Sequence, residues 1–377
     1  MLVFCGARLF DGERFLDDHA LVVEGDAIAA VVPYADRPRS CEERNLDGGV
    51  LAPGFVDWQV NGGGGFLFNE SPTVEGIRGI VESHRRFGTT ALLPTLITDT
   101  PEKLTTALEA AKRAYTQVPG SLGIHVEGPF IDPLRKGAHP VEWIRPMRDQ
   151  DAESLIAAKT GVMVVTLAPA SVSNEQIAQL ARSGVTVSIG HSDASAEEAT
   201  AAFDAGARAV THLYNAMSQL SHRAPGLVGA ALSDPRVLCG FIADGFHVHE
   251  AATRVAFQAK GKDGIALISD AMPPAAGGPH VYELGGRRVT QEGLKLTLAD
   301  GTLAGAAITM LDAVRYTHHT IGLDLADALT MATATPARLL NIEDKRGRLR
   351  RGLRADLVHL GDDLSLRGVW IAGAAAS

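Results

Sequence analysis

From Val50 onward the chain alternates short apolar, β-branched runs with Ala-rich amphipathic segments. The runs number eight: GFVDW, TTALLPTL, LGIHVEG, VMVVTLAP, VTVSIGH, RAVTHL, VLCGFIADG and IALISDA. Between them, segments such as TVEGIRGIVESHRRFG, PEKLTTALEAAKRAY, SNEQIAQLARSG and SAEEATAAFDAG carry the helical period. A helix that follows each strand brings the chain back to start the next strand in the same direction, so the sheet must be parallel. Eight such units predict a closed (β/α)8 TIM-like barrel. An open doubly wound sheet is the weaker alternative. No GxGxxG follows the first strand, and NGGGGFLF lacks the third glycine at the required spacing.

A barrel presents its reactive groups on the loops after its strands, so the residue that ends each run matters most. Glu127 ends the third run, His191 the fifth, His212 the sixth and Asp270 the eighth. Taken singly, each has a bland explanation. A rim carboxylate is usually solvated, a histidine beside an apolar run is more often a satisfied core residue, and a strand-end aspartate can simply cap the next segment. Their shared position in separate β/α units favours a common purpose. Two imidazoles and a carboxylate leave a fourth coordination position open, as catalytic zinc sites do, and Asp270 supplies the proton acceptor that hydrolysis needs. In HVEGPF, Gly128 and Pro129 stop the strand and turn the carboxylate toward the mouth. Asp244 and His247, in IADGFHVH, follow the seventh run and face the same mouth.

Outside the alternating region the texture changes. Residues 1–50 contain strand-like runs and turn signals such as GARLFDGERF and HALVVEGDAIAAVV, and residues 344–377 return to that pattern. These two segments are expected to close on each other as one small β-sandwich domain, with residues 51–343 forming the barrel. After Asp270 a stretch of about 35 residues, rich in Gly and in short strand-like pieces, predicts a long excursion above the mouth. Helical texture then resumes in TMLDAVRYTHHTIG and DLADALTMATATPARLL, with Pro336 as a breaker or first-turn residue.

Composition narrows the function classes. A net charge of −9, with basic residues dispersed except in RGRLRRGLR, gives no footprint for a nucleic-acid partner. No apolar run reaches the roughly 18 residues that span a bilayer, and MLVFCGARLFDG lacks the features of a secretory signal, so a cytoplasmic protein without a membrane partner is expected. Cys5, Cys41 and Cys239 are odd in number and far apart, which suits a reducing compartment and small apolar roles.

The ordered set APGFVDWQVNGGGG, HVEGPF, GHSDA, THLYNAM, APGLVGAAL, ADGFHVH, SDAMPP and GTLAGA resembles the N-acetylglucosamine-6-phosphate deacetylase family of the amidohydrolase superfamily. ATPARLL and GRLRRGLRADLV resemble that superfamily's closing elements. The resemblance implies hydrolysis of the N-acetyl group of N-acetylglucosamine 6-phosphate to glucosamine 6-phosphate and acetate. It implies that Glu127, His191 and His212 hold one divalent ion per subunit, zinc first, with iron or cobalt as alternatives. Asp270 would be general base and then general acid, and His139, in KGAH, would polarise the acetyl carbonyl. Asn215, Ala216, Arg223 and His247 would contact the sugar phosphate, some across a homodimer interface. Spacing alone leaves Arg223 evenly poised between a phosphate ligand and an ordinary surface arginine, and the backbone N–H groups of Asn215 and Ala216 are expected to add hydrogen bonds.

One departure from the superfamily pattern stands out. Many members carry His-x-His after the first strand for a second metal, but Gln59 and Asn61 stand here, and amides are poor zinc ligands. The chain thus resembles the single-metal branch. Rival readings are a deacetylase of N-acetylgalactosamine 6-phosphate or of an N-acyl amino acid, or a barrel that serves only as a scaffold.

Overall fold

The computed structural model describes residues 1–376. Its centre is an eight-stranded parallel sheet whose strands, labelled around the barrel, are β1 (Phe55–Val60), β2 (Thr89–Ile97), β3 (Gly123–Glu127), β4 (Val162–Leu167), β5 (Thr186–Ile189), β6 (Ala209–Val210), β7 (Leu238–Ile242) and β8 (Ile265–Ile268). They pair in sequence order, and each coincides with one of the eight apolar runs. The seam between β8 and β1 closes through hydrogen bonds rather than a full ladder. The Asp270 N–H donates to the Gln59 carbonyl at 3.0 Å, and the Ser269 hydroxyl donates to the Asp57 carboxylate at 2.5 Å.

Helices cover the outside of the barrel, and their first turns show why they begin where they do. Thr73, Thr100, Ser173 and Ser195 each accept a backbone N–H from the first turn, and the last two complete capping boxes with Gln176 and Glu198. Each such cap stabilises its helix by about 1 kcal/mol. Inside the barrel, Trp58 reaches across to β7, where a Cβ on Gly240 would sit 2.5 Å from the indole. Only glycine leaves that room. Below the mouth a buried polar chain links four strands. His125 meets the Thr166 hydroxyl at 2.7 Å, and Thr166 and Ser188 each meet Thr211 at 2.6 Å, so no member is left unsatisfied.

The terminal segments meet in two facing sheets. One contains Leu2–Cys5, His19–Glu24, Ala27–Pro33 and Glu42–Asn45; the other joins Arg8–Phe10, Phe15–Leu16 and Val50–Pro53 to Leu357–Leu360, Leu366–Ile371 and Ala374–Ala375. Phe4, Leu9, Leu21, Leu51, Leu357 and Trp370 fill the space between them. Burial of each large apolar side chain contributes on the order of 2 kcal/mol. Val50–Pro53 runs parallel to Arg8–Phe10 and antiparallel to Leu357–Leu360, then passes directly through Gly54 into β1.

The structure fills in two of the segments after Asp270. The excursion after Asp270 is an ordered four-stranded antiparallel meander, Val281–Leu284, Arg287–Glu292, Lys295–Leu298 and Leu303–Ala306. It packs Leu284, Val289, Leu296 and Leu298 against Leu67, Ile97 and Met272 at the mouth, and that apolar seat is what orders it. The DLADALTMATATPARLL segment is two helices, Leu325–Ala332 and Ala334–Leu339. The break falls at Thr333 (φ −130°, ψ −77°), and Pro336 sits in the first turn of the second helix, where a missing N–H costs nothing.

Candidate active site and metal centre

Glu127 is the last residue of β3, and Gly128 takes the left-handed turn that follows, with φ +83°. A side chain at Gly128 would collide with the Thr98 hydroxyl, since an added Cβ lies 2.1 Å from it. His191, His212 and Asp270 follow β5, β6 and β8, and there the rim residues themselves are left-handed, with φ of 46°, 33° and 47°. Such conformations cost about 1 kcal/mol or more for a non-glycine residue and persist only where surroundings impose them. Here the carbonyls of all three accept backbone N–H groups from elsewhere in the rim, from Asp132, Asn215 and Ala306, each at 2.9 Å.

The result is a tight cluster. His212 Nε2 lies 3.1 Å from Glu127 Oε1 and 3.0 Å from His191 Nε2, and His191 Nε2 lies 3.3 Å from the same Glu127 oxygen. Three ligand atoms with edges of that length match bonds of about 2.0–2.1 Å radiating from one cation at near-tetrahedral angles. The donor set, two imidazoles and a carboxylate, fits zinc, iron or cobalt. His191 Nδ1 faces the Arg135 carbonyl at 2.9 Å, which fixes the proton on Nδ1 and leaves the Nε2 lone pair for the ion. Burial would raise the Glu127 carboxyl, but the two imidazoles of His191 and His212 against it hold it well below the usual carboxylate range.

His139 stands beside this cluster. Ligand atoms of Glu127, His139 and His191 all lie within 4.8 Å of one another. Yet His139 is tied elsewhere: its Nδ1 accepts the Thr98 N–H at 3.4 Å and meets the Thr98 hydroxyl at 2.7 Å. That acceptor role at Nδ1 places the ring proton on Nε2. Burial, with His191 alongside, holds His139 well below the usual histidine value, so the ring is a neutral donor.

Gln59 and Asn61, at the first-strand position, turn their amide N–H groups toward the acids of the cluster. Gln59 Nε2 donates to Glu127 Oε1 at 3.0 Å and to Asp270 Oδ1 at 3.3 Å, and Asn61 Nδ2 donates to the same Asp270 oxygen at 2.6 Å. Two neutral amides thus face two buried acids. Burial, then the nearby Glu127 charge, pushes the Asp270 carboxyl up to about 7, a value suited to a group that must both take and return a proton.

Asn61, Glu127, His139, His191, His212 and Asp270 line a cleft of about 380 Å³ that also holds Asn215, Ala216 and His247 and is roofed by Thr302 and Leu303 of the meander. Two of the expected sugar-phosphate contacts stand apart from the others. The Asn215 N–H is already donated to the His212 carbonyl at 2.9 Å, so it closes a turn and is not free for a ligand. Arg223 is exposed and lies outside the cleft of its own chain. Sequence reasoning also missed Thr98, Arg135 and the meander roof. Arg135 acts through its backbone carbonyl, which no side-chain pattern reports. No helix among the described residues is long and apolar enough to cross a membrane.

The chain matches the amidohydrolase family over residues 50–375 and the NagA composite domain over residues 1–51. It is 40% identical to the N-acetylgalactosamine-6-phosphate deacetylase of Shewanella sp. (strain ANA-3), covering 99% of this chain and 95% of that one. It is 32% identical to the N-acetylglucosamine-6-phosphate deacetylase of Haemophilus influenzae, over 95% and 94% of the two chains. Among solved structures, the N-acetylglucosamine-6-phosphate deacetylase of Pasteurella multocida superposes with a TM-score of 0.96 at 33% identity, covering 99% of each chain. The Mycobacterium smegmatis enzyme, as a point variant in complex with N-acetyl-D-glucosamine-6-phosphate, superposes with a TM-score of 0.93 at 33% identity, over 100% and 99% of the chains. The chain belongs to the amidohydrolase family, in the branch that holds the N-acetylglucosamine-6-phosphate and N-acetylgalactosamine-6-phosphate deacetylases.

Proposed function

We propose that this protein hydrolyses the N-acetyl group of an amino-sugar 6-phosphate, N-acetylglucosamine 6-phosphate first, to the free amine and acetate. The observation that carries the reading is the triangle of Glu127, His191 and His212 with Asp270 held beside it. Those three residues are the ligands of one divalent ion, zinc by their donor set. Bound there, the ion supplies Lewis-acid polarisation of the acetyl carbonyl and hydroxide at neutral pH. Asp270 accepts the proton of the attacking water, and later delivers a proton to the departing sugar nitrogen, which would otherwise leave as a prohibitively basic anion. The Nε2–H of His139 faces the carbonyl oxygen as charge builds on it, a kind of contact whose loss costs about 3 kcal/mol in other enzymes.

A second reading has its own support, because relatives at 40% and 38% identity are N-acetylgalactosamine-6-phosphate deacetylases. The two substrates differ only in the direction of the C4 hydroxyl. Acetate release from both phosphates, from their unphosphorylated counterparts and from an N-acyl amino acid decides the matter. Turnover is expected on the amino-sugar 6-phosphates and at least about tenfold weaker without phosphate, where charge-assisted bonds are lost. Preference for the amino acid, or no turnover at all, would end the reading.

The working form is a homodimer, in which the exposed Leu220 and Arg223 loop is covered by a second copy and Arg223 serves the neighbouring cleft. The Arg223→Ala and Asp270→Asn variants should each be poorly active alone. Mixed under conditions that exchange subunits, they should recover activity, because one hybrid cleft then has both an intact Asp270 and an intact neighbouring Arg223. Activity that stays at the sum of the two separate variants argues against a shared site.

A further inference from the structure

Asp244 is fully covered, with a side chain showing no exposure, and none of the steps above uses it. A buried carboxylate is costly unless its oxygens are satisfied, and both are. Oδ1 accepts the backbone N–H groups of Phe246 and His247, at 2.8 and 2.9 Å, and so builds the turn after β7. Oδ2 has a different partner, the Nδ1 of His247 at 2.7 Å. The turn needs only the first oxygen. The second addresses a side chain that lines the catalytic cleft and is itself almost covered, at 6% exposure.

That contact fixes the imidazole in two respects. It sets the ring's rotation, and it puts a proton on Nδ1, so Nε2 projects to the opposite side of the ring from Asp244. If an anionic oxygen meets Nε2, the ring can hold a proton there as well, because Asp244 balances the added charge at its back. The bond to the anion is then charge-assisted at both ends. Among the groups lining the cleft, Glu127 and Asp270 are acids that repel a phosphate, whereas the ring of His247, backed by Asp244, is suited to meet one.

We propose that Asp244 is a positioning residue that holds His247 as an oriented donor for the substrate's phosphate, a role that rests on the amino-sugar 6-phosphate reading above. It touches neither substrate nor ion and acts only through the ring of His247. Burial raises the Asp244 carboxyl, but the bonds from His247 and the turn outweigh it and leave the group below the usual carboxylate value, as an ionised partner requires.

The test is the Asp244→Asn variant. Its amide oxygen still accepts the two backbone N–H groups, while the group facing Nδ1 becomes a neutral donor. KM for the 6-phosphate substrate should rise about tenfold with kcat within about twofold, since a positioned contact made equally in ground and transition states shows up in KM. The penalty should vanish on the unphosphorylated N-acetylamino sugar, and also when Asp244→Asn is added to a His247→Gln background, because coupled residues are non-additive. Equal loss with and without phosphate, or full additivity with His247→Gln, would overturn the proposal and leave Asp244 as a turn residue only. Absence of turnover by the unmodified protein on every amino-sugar phosphate is a separate failure, that of the functional reading itself.

Discussion

Asp270→Asn lowers kcat by about 10²–10⁴-fold, the usual contribution of a general acid–base group, while the ion content of the purified protein stays unchanged. The substitution is nearly isosteric. An amide oxygen can still accept from Asn61 and Gln59, which now meet Asp270 at 2.6 and 3.3 Å, so the rim should keep its shape. What disappears is the proton acceptor. The same variant should change the pH profile. Asp270 must be ionised to take the water's proton, and its pKa stands at about 7 without the ion. Activity of the unmodified enzyme should therefore fall as pH drops below about 7, and a bound cation would move that limb lower. The variant should lack the limb. A kcat near the unmodified value, or an unaltered acid limb, would remove Asp270 from the chemistry.

Stripping the ion with a strong chelator should abolish turnover, by on the order of 10³-fold or more, because Lewis-acid assistance supplies several kcal/mol and each decade of rate is about 1.4 kcal/mol. Zinc, cobalt or ferrous iron added back should restore it, with occupancy near one per chain. His212→Ala should lose both ion and activity. The loss should also appear in thermal stability, since a ligand that binds only the folded form raises its apparent stability by mass action. Without the cation, Glu127 is a buried carboxylate whose polar neighbours are two imidazoles and the Gln59 amide, and that compensation is incomplete. Undiminished deacetylation by protein carrying no detectable metal would contradict the assignment of the triangle.

Much of the barrel could be read from the chain because its signals are local. Eight apolar runs with amphipathic segments between them mark β1 to β8, and Ser or Thr caps mark the helix starts. The polar residues that end the runs were legible for the same reason: Glu127, His191, His212 and Asp270 gather at one rim because parallel strands end together. What stayed hidden depends on contacts between distant segments. Thr98 orients His139 from another loop, the Arg135 carbonyl orients His191 across 56 positions, and Asp57 closes the barrel onto Ser269 over 212. The strand-like pieces of the meander were legible, but not their apolar seat on Leu67, Ile97 and Met272, which joins segments far apart in the chain. Arg223, exposed and outside its own cleft, was the residue on which spacing had the least to say.

The strand Val50–Pro53 lies between Arg8–Phe10, made just before it, and Leu357–Leu360, made about 300 residues later. At ribosomal speeds of about 5–20 residues per second, the nascent chain spends roughly 15–60 s with one flank of that strand open. The amino-terminal half-sandwich must wait, its apolar Leu9 and Leu51 without Leu357 and Trp370 to cover them, while the whole cylinder is being produced. Completion of the last strands is therefore the event that seals the molecule, and loss of even a short carboxy-terminal stretch would leave an adhesive edge beside an otherwise finished barrel.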